Sequence, residues 1–289
     1  MDNFLLHETK IHGTTGFPYI VYHGKIPDFY KSFPLHWHNE MEFIYVMDGQ
    51  LKITVWSTTY TLHTGDIAII LPHAMHSLEQ DEFKRAEFFN IIFHCSIFGT
   101  DFCYEKYIKP FLTHEKSLPC FERNGSWINE QVKPFLLSLI EHRRSSYTTH
   151  EYLVKSHLFM IMHLLNQGCT ASDTNELSRH LTYGKLKAVF YHIQNSYGQD
   201  ISVKGAAKLC GFSESHFMKL FRELTGMSFT TYLINYRLEL AAKQLSETTL
   251  NVLEIALNCG FHNPSYFTRS FLKKYGMTPT KFRATMHQN

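Results

Sequence analysis

Between Met41 and Phe93 the apolar residues come in short runs rich in aromatic and β-branched side chains: Met41 to Met47, Leu51 to Trp56, Ile67 to Leu71 and Phe88 to Phe93. Turn signals part them at Asp48-Gly49, His63 to Asp66 and Pro72. Short strands at this spacing predict a small β-barrel or double-sheet sandwich. Past residue 125 the period lengthens to that of helices. Ile128, Val132, Phe135, Leu136 and Leu139 form one stripe, with Pro134 near the first turns or at a kink; Val154, Leu158, Ile161, Met162 and Leu165 form another. Asn166 to His180, rich in Ser, Thr, Asn and Asp, reads as a linker. Leu186, Val189, Phe190 and Ile193 then open a further amphipathic helix.

The last hundred residues repeat themselves. Val203 to Phe212 aligns with Val252 to Phe261 at a constant offset, matching Val, Ala, Cys, Gly and Phe, and after one inserted residue Phe221, Gly226 and Met227 meet Phe271, Gly276 and Met277. Each copy reads as helix, turn, helix. In the first, Ser202 caps a helix with Val203, Ala206, Ala207 and Cys210 on its inner face, and Gly211 supplies the positive φ that ends it. Ser213 caps the next helix, where Phe217, Leu220, Phe221 and Leu224 face inward and leave Ser215, Met218, Lys219 and Arg222 outside. In the second copy Asn263-Pro264 starts the helix, Phe267 and Phe271 point in, and Ser265, Thr268, Arg269 and Lys273 point out. Between the copies, Ser228 to Leu245 has few helix breakers and predicts a connecting helix of about 27 Å, long enough to set two recognition helices roughly one DNA turn apart.

Hydroxyl and guanidinium groups suit base edges, and Lys and capping groups suit phosphates. The residues expected to meet double-stranded DNA are therefore Ser213, Ser215, Met218, Lys219, Arg222, Asn263, Ser265, Thr268, Arg269 and Lys273. Charge supports this placement. Residues 180 to 289 hold 13 Lys and Arg against 6 Asp and Glu, while residues 1 to 179 hold 15 against 20, so a polyanion partner is expected for the tail alone. At 289 residues with 44% hydrophobic positions the chain can build two cores. It has no 18-residue apolar run and no export-signal layout after Met1, so a cytoplasmic protein with no membrane partner is expected. The six cysteines include no C-x-x-C pair and read as reduced thiols.

From Ala207, Gly211-Phe212, Phe217 and Phe221 through Arg237-Leu238 and Ala241 to Ile255-Ala256, Gly260-Phe261, Tyr266-Phe267, Arg269, Phe271, Gly276 and Thr278-Pro279, the tail resembles the paired helix-turn-helix domain of the AraC/XylS family of bacterial transcription regulators. That resemblance implies sequence-specific binding near promoters, often with activation, and RNA polymerase as a partner if the chain is an activator. In the front half, His36-Trp-His38-Asn-Glu-Met-Glu42, Gly49, Gly65-Asp66 and Pro72 to His76 resemble the cupin fold and the sensor domains of the same family. Ala74 stands where that pattern has Gly, and His76 follows Pro72 by only four residues.

On a single strand His36, His38 and Glu42 share one parity and so one face, with Trp37, Phe43 and Tyr45 on the other. His36, His38, Glu42 and His76 are the candidate ligand-binding residues. They either line a polar, sugar-like pocket without metal, hold a divalent ion as in metal-binding cupins, or satisfy one another; the first reading is preferred, with no metal and no cofactor.

The whole reads as an α+β multidomain chain. A cupin-like effector-sensing β-barrel spans 1–125, a helical hairpin with a possible dimer contact 126–168, a linker 169–182, and an all-α domain with two helix-turn-helix units 183–289. The expected function is a ligand-responsive, sequence-specific regulator of transcription, an activator of a carbohydrate-related operon acting as a homodimer. A metal-dependent cupin enzyme carrying a DNA-binding tail is the alternative.

Overall fold

Strands β1 (Tyr19–Ile26), β2 (Ser32–His36), β3 (Met41–Val55), β4 (Thr58–His63), β5 (Ile67–Ile70), β6 (His76–Gln80) and β7 (Ala86–Phe93) occupy the front of a computed structural model that describes residues 7–8, 10–29, 32–113, 115–145, 148–171 and 174–286. The chain divides between Gly184 and Lys185 into two units, and each is described by itself.

In the first unit the runs on either side of Asp48-Gly49, expected as two strands joined by a turn, are one strand. Its first half, Met41 to Tyr45, pairs with β5 on one edge and β7 on the other, and its second half, Gln50 to Val55, pairs with β4 and β6. The register against β7 shifts between Val46 and Asp48. A bulge there turns β3 from one antiparallel wall, ordered β1-β7-β3-β5, into the other, ordered β2-β6-β3-β4. Gly49, with φ +84, allows the bend, because a Cβ at this residue would stand 1.9 Å from the Arg85 carbonyl oxygen. Gly49→Ala is therefore expected to cost about 1–3 kcal/mol, seen as a lower urea midpoint of the full chain; an unchanged midpoint would show that the corner does not depend on glycine.

After two short helical turns, Cys95–Phe98 and Tyr104–Ile108, come a short helix α1 (Lys109–Leu112), two-residue strands β8 (Lys116–Ser117) and β9 (Phe121–Glu122), and the long helices α2 (Trp127–Glu141) and α3 (His150–Gly168). Ser126 caps α2 by accepting from the Asn129 N–H, and Pro134 lies inside that helix. The predicted stripes do pack together: Val132, Leu136, Leu139, Val154, Leu158, Ile161, Met162 and Leu165 form one core with Phe43, Tyr45, Ile67, Ile69, Phe89, Ile91 and Phe93. The odd positions of β3 thus meet the helices, and Glu42, Ile44 and Val46 are buried on the opposite face.

Much of the expected linker is structured. Thr170–Ala171 forms strand β10, which pairs with β8, and Thr174–Lys185 forms helix α4. Near the end of that helix Tyr183 is buried, its ring stacked on Trp56 at 6.2 Å. Tertiary packing of this kind overrides a linker-like composition.

In the second unit α5 (Lys187–Ser196), α6 (Val203–Cys210), α7 (Glu214–Thr225), α8 (Phe229–Glu247), α9 (Val252–Asn258), α10 (Pro264–Tyr275) and α11 (Pro279–Met286) follow the predicted repeat. Ser202, Ser213, Ser228, Asn251 and Asn263 cap α6 to α10 in turn, and Gly211, Gly226 and Gly276 end helices in the left-handed conformation. The repeat also extends to a pair of arginines. Arg237 on α8 donates to the Tyr197 and Gln199 carbonyls ahead of α6, and Arg283 on α11 donates to the Leu245 and Leu250 carbonyls ahead of α9. Each guanidinium holds the loop that feeds its helix-turn-helix. The Glu239–Lys274 ion pair, 2.9 Å, ties the second recognition helix α10 to α8.

Candidate functional site: a buried histidine cluster and a DNA-binding face

The sensor candidates do not sit on one strand. His36 ends β2, residues 37 to 40 turn, and Glu42 follows in β3, so the shared parity expected of a single strand does not apply. The four nevertheless meet. His36 pairs directly with His76 across β2 and β6, and the His38 carbonyl accepts from the His73 N–H at 2.8 Å, which brings the segment before β6 against His38. The ring centroids of His36 and His76 are 4.2 Å apart and those of His38 and His76 5.1 Å. Neither the short Pro72–His76 spacing nor Ala74 keeps His76 out of the cluster.

The tautomers follow from the backbone. His36 Nδ1 lies 2.8 Å from the Pro34 carbonyl oxygen, His38 Nδ1 3.1 Å from that of Glu40, and His76 Nδ1 2.9 Å from that of Ala74. A carbonyl oxygen only accepts, so each Nδ1 carries a hydrogen and each Nε2, in a neutral ring, presents a lone pair. His38 Nε2 and His76 Nε2 both lie 3.1 Å from the same acceptor-only oxygen, Glu42 Oε2. His38, Glu42 and His76 are at most 2% exposed, and His76 Nε2 has no aligned hydrogen-bond partner. Burial would raise the Glu42 carboxyl, but the hydrogen bond with His38 and the close approach of the His76 ring outweigh it and hold the group well below the usual carboxylate range. Burial, with His76 adding to it, pushes the His36 imidazole down to about 3, so this ring is neutral at pH 7.

Converging lone pairs around a buried carboxylate require positive charge between them. Protons on the imidazoles can supply it, and so can one divalent cation. The donor set suits a cation in kind: His36, His38 and His76 offer ligand atoms within 4.8 Å of one another, and these would draw together by up to about 1 Å to reach the roughly 3 to 4 Å that separates ligands bound to one ion at about 2.1 Å. Nδ1–H donation to a backbone carbonyl is also the support that metal-bound histidines use.

Two residues that sequence reasoning missed stand beside this set. Glu8 Oε2 lies 3.8 Å from His36 Nε2, and His12, 3% exposed, lies with its Nε2 3.6 Å from Glu8 Oε1. The signal available was His7, Glu8 and His12 within the first twelve residues.

In the second unit nine of the ten predicted DNA-binding side chains are exposed and Thr268 is half-buried. Ser213 and Asn263 are also caps, accepting from the backbone N–H of His216 and Tyr266. Lys219 Nζ lies 3.9 Å from Glu223 on its own helix, and Arg269 Nε donates back to the Ser265 carbonyl at 3.4 Å. The prediction missed Lys204 and Lys208 on the exposed side of α6, whose counterparts on α9 at the same offset are the exposed Leu253 and Leu257. The first helix-turn-helix thus presents two lysines on its leading helix where the second presents two leucines. Arg269→Ala is expected to weaken binding to a preferred site by about 1–3 kcal/mol and to relax preference at one base pair; an equal loss on random DNA in a competition assay would make it a phosphate contact.

A β-sheet domain with a buried polar cluster, carried on one chain with paired helix-turn-helix units, defines a ligand-responsive DNA-binding regulator. Residues 27–104 match the AraC-like ligand binding domain and residues 206–285 a helix-turn-helix domain. Similar chains include the uncharacterized HTH-type transcriptional regulator YdeC of Bacillus subtilis, 23% identical over 98% of this chain and 99% of that one. The Msm operon regulatory protein of Streptococcus mutans is 23% identical over 85% and 84%, and the HTH-type transcriptional activator RhaR of Mannheimia succiniciproducens 24% identical over 87% of each. The chain belongs to the AraC/XylS family of transcription regulators. Among its described residues no helix is long and apolar enough to cross a membrane.

Proposed function

We propose that the chain regulates transcription, without catalysis, by binding a polar small molecule at His36, His38, Glu42 and His76, and that the bound state changes how α7 and α10 occupy DNA. The observation that carries this reading is the buried polar cluster itself. Histidines and a carboxylate withdrawn from water are costly to a fold unless something uses them, and a ligand that contacts them in only one domain arrangement shifts the equilibrium between arrangements. A carbohydrate is the leading effector class, because its hydroxyls both donate and accept. A divalent ion on the same residues is a second reading, favoured by the two imidazole nitrogens, of His38 and His76, that meet the Glu42 carboxylate and by the third ring, His36, beside them. Held there by His36, His38, His76 and Glu42, such an ion would act as a Lewis acid toward effector oxygens.

Activation is supported by the likeness to the transcriptional activator of Mannheimia succiniciproducens, and an activator would have RNA polymerase as its partner. A homodimer is supported by exposed Tyr152, Phe159 and Met160 on α3, and a cytoplasmic setting by the DNA target. The test is fluorescence anisotropy of promoter DNA with the full chain, against a panel of sugars and sugar phosphates, in metal-replete and chelator-stripped buffer. DNA occupancy should respond to at least one compound in wild type and to none in His38→Ala; a His38→Ala chain that keeps the response would remove the site from the mechanism.

A further inference from the structure

The segment ahead of β1 reaches the histidine cluster from outside the four residues assigned to it. His7 bridges Trp37 in parallel, and the Glu8 N–H donates to the Trp37 carbonyl at 2.9 Å. This pairing sets Glu8 alongside the peptide that joins His36 to His38. Glu42 approaches the Nε2 atoms of His38 and His76, both at 3.1 Å. Glu8 approaches that of the third ring, His36, at 3.8 Å. Behind it His12 is buried, its ring 5.7 Å from that of His38 and 5.8 Å from that of Tyr22, and neither of its nitrogens has a hydrogen-bond partner.

Charge makes the second carboxylate matter. A divalent ion with three neutral imidazoles and Glu42 alone carries one net positive charge in a site nearly shut off from water, and isolated buried charge is strongly disfavoured. A second carboxylate brings the sum to zero. An imidazole N–H beside that carboxylate is the kind of partner that orients a ligating group and tunes its donor strength. The orphaned nitrogens of His12 stand next to Glu8 with that chemistry to offer.

We propose that Glu8 is a further metal-site residue: a divalent cation held by His36, His38, His76 and Glu42 draws in the Glu8 carboxylate, His12 orients it, and the ion thereby fastens the N-terminal segment to the barrel. This rests on the divalent-ion reading of the site. In the fastened state the strand-like pairing of His7 and Glu8 with Trp37 is reinforced at its side chain as well as its backbone.

The experiment uses the full chain, stripped with chelator and titrated with Co²⁺, whose visible absorption reports its ligands. Wild type should bind one Co²⁺ per chain and slow hydrogen exchange in the peptide that spans His7 to His12. Glu8→Gln should weaken Co²⁺ about 10–100-fold, shift the absorption band and abolish the slowed exchange, with an unchanged melting curve without metal because Glu8 is partly exposed. His12→Phe, which keeps the buried ring volume, should give a smaller loss of the same kind. Glu8→Gln with wild-type affinity, spectrum and exchange would overturn the proposal while leaving the four-residue ion site standing. A wild-type chain that binds neither Co²⁺ nor Zn²⁺ would overturn both.

Discussion

A fragment beginning at Lys185 is expected to bind duplex DNA without the sensor and to lose about 10³-fold or more in affinity between about 50 and 200 mM salt. The expectation follows from the exposed cations of the second unit. Lys204, Lys208, Lys219, Arg222, Arg269 and Lys273 are all exposed on α6, α7 and α10, and a protein that neutralises about six phosphates releases enough counterions to give that salt slope. The helices are also self-contained. Capping residues and the Arg237 and Arg283 loop contacts all lie within the unit. The 19-residue α8, about 28 Å long, links α7 to α9 and α10. Replacing Lys204 and Lys208 together should lower the slope by about two and weaken all sequences alike, because α6 offers lysines and no base-reading groups. A fragment folded by circular dichroism whose DNA binding is indifferent to salt would remove the DNA face assigned here.

This unit was legible in the sequence because its determinants are local. A cap, a 3.6-residue apolar stripe and a terminal glycine lie within a dozen residues of one another, and the repeat states them twice. Arg237 and Arg283 were not legible, since they act on carbonyls 33 to 40 residues away. The strands of the sensor were legible as runs and illegible as topology. Asp48-Gly49 has the composition of a hairpin turn, and only the approach of Arg85 to Gly49 makes it a barrel corner. The helix Thr174–Lys185 was hidden for a similar reason: Ser, Thr, Asn and Asp favour turns until an aromatic such as Tyr183 finds a tertiary seat.

The histidine cluster shows the same division. Its members were recognisable from spacing, but the argument that joined them, one strand with one parity, fails at the turn after Trp37. What gathers them is pairing between β2 and β6 and the backbone hydrogen bond from His73 to His38. Glu8 and His12 escaped notice because no periodicity connects them to residue 36; a single isolated bridge does.

Replacing Glu42 is expected to separate a structural network from a ligand site. Glu42→Ala leaves the Nε2 atoms of His38 and His76 facing a cavity inside the sensor, and loss of a buried charged partner costs about 3–5 kcal/mol. At about 2–4 °C per kcal/mol for a domain of this size, the melting temperature of the first unit should fall by roughly 10 °C. Glu42→Gln behaves differently. Its amide can donate to one imidazole lone pair while its oxygen keeps the position of the carboxylate, so stability should return to within about 1 kcal/mol of wild type. The negative charge does not return. If the cluster holds a cation, Zn²⁺ should raise the wild-type melting temperature and leave that of Glu42→Gln unchanged, because a ligand stabilises only the fold that binds it. If the cluster binds an uncharged polyol instead, neither chain responds to Zn²⁺, and Glu42→Gln loses the sugar-dependent change in DNA occupancy. A Glu42→Gln chain that melts, binds Zn²⁺ and responds to the sugar panel as wild type does would make the cluster a structural network and sink its assignment as the sensor site.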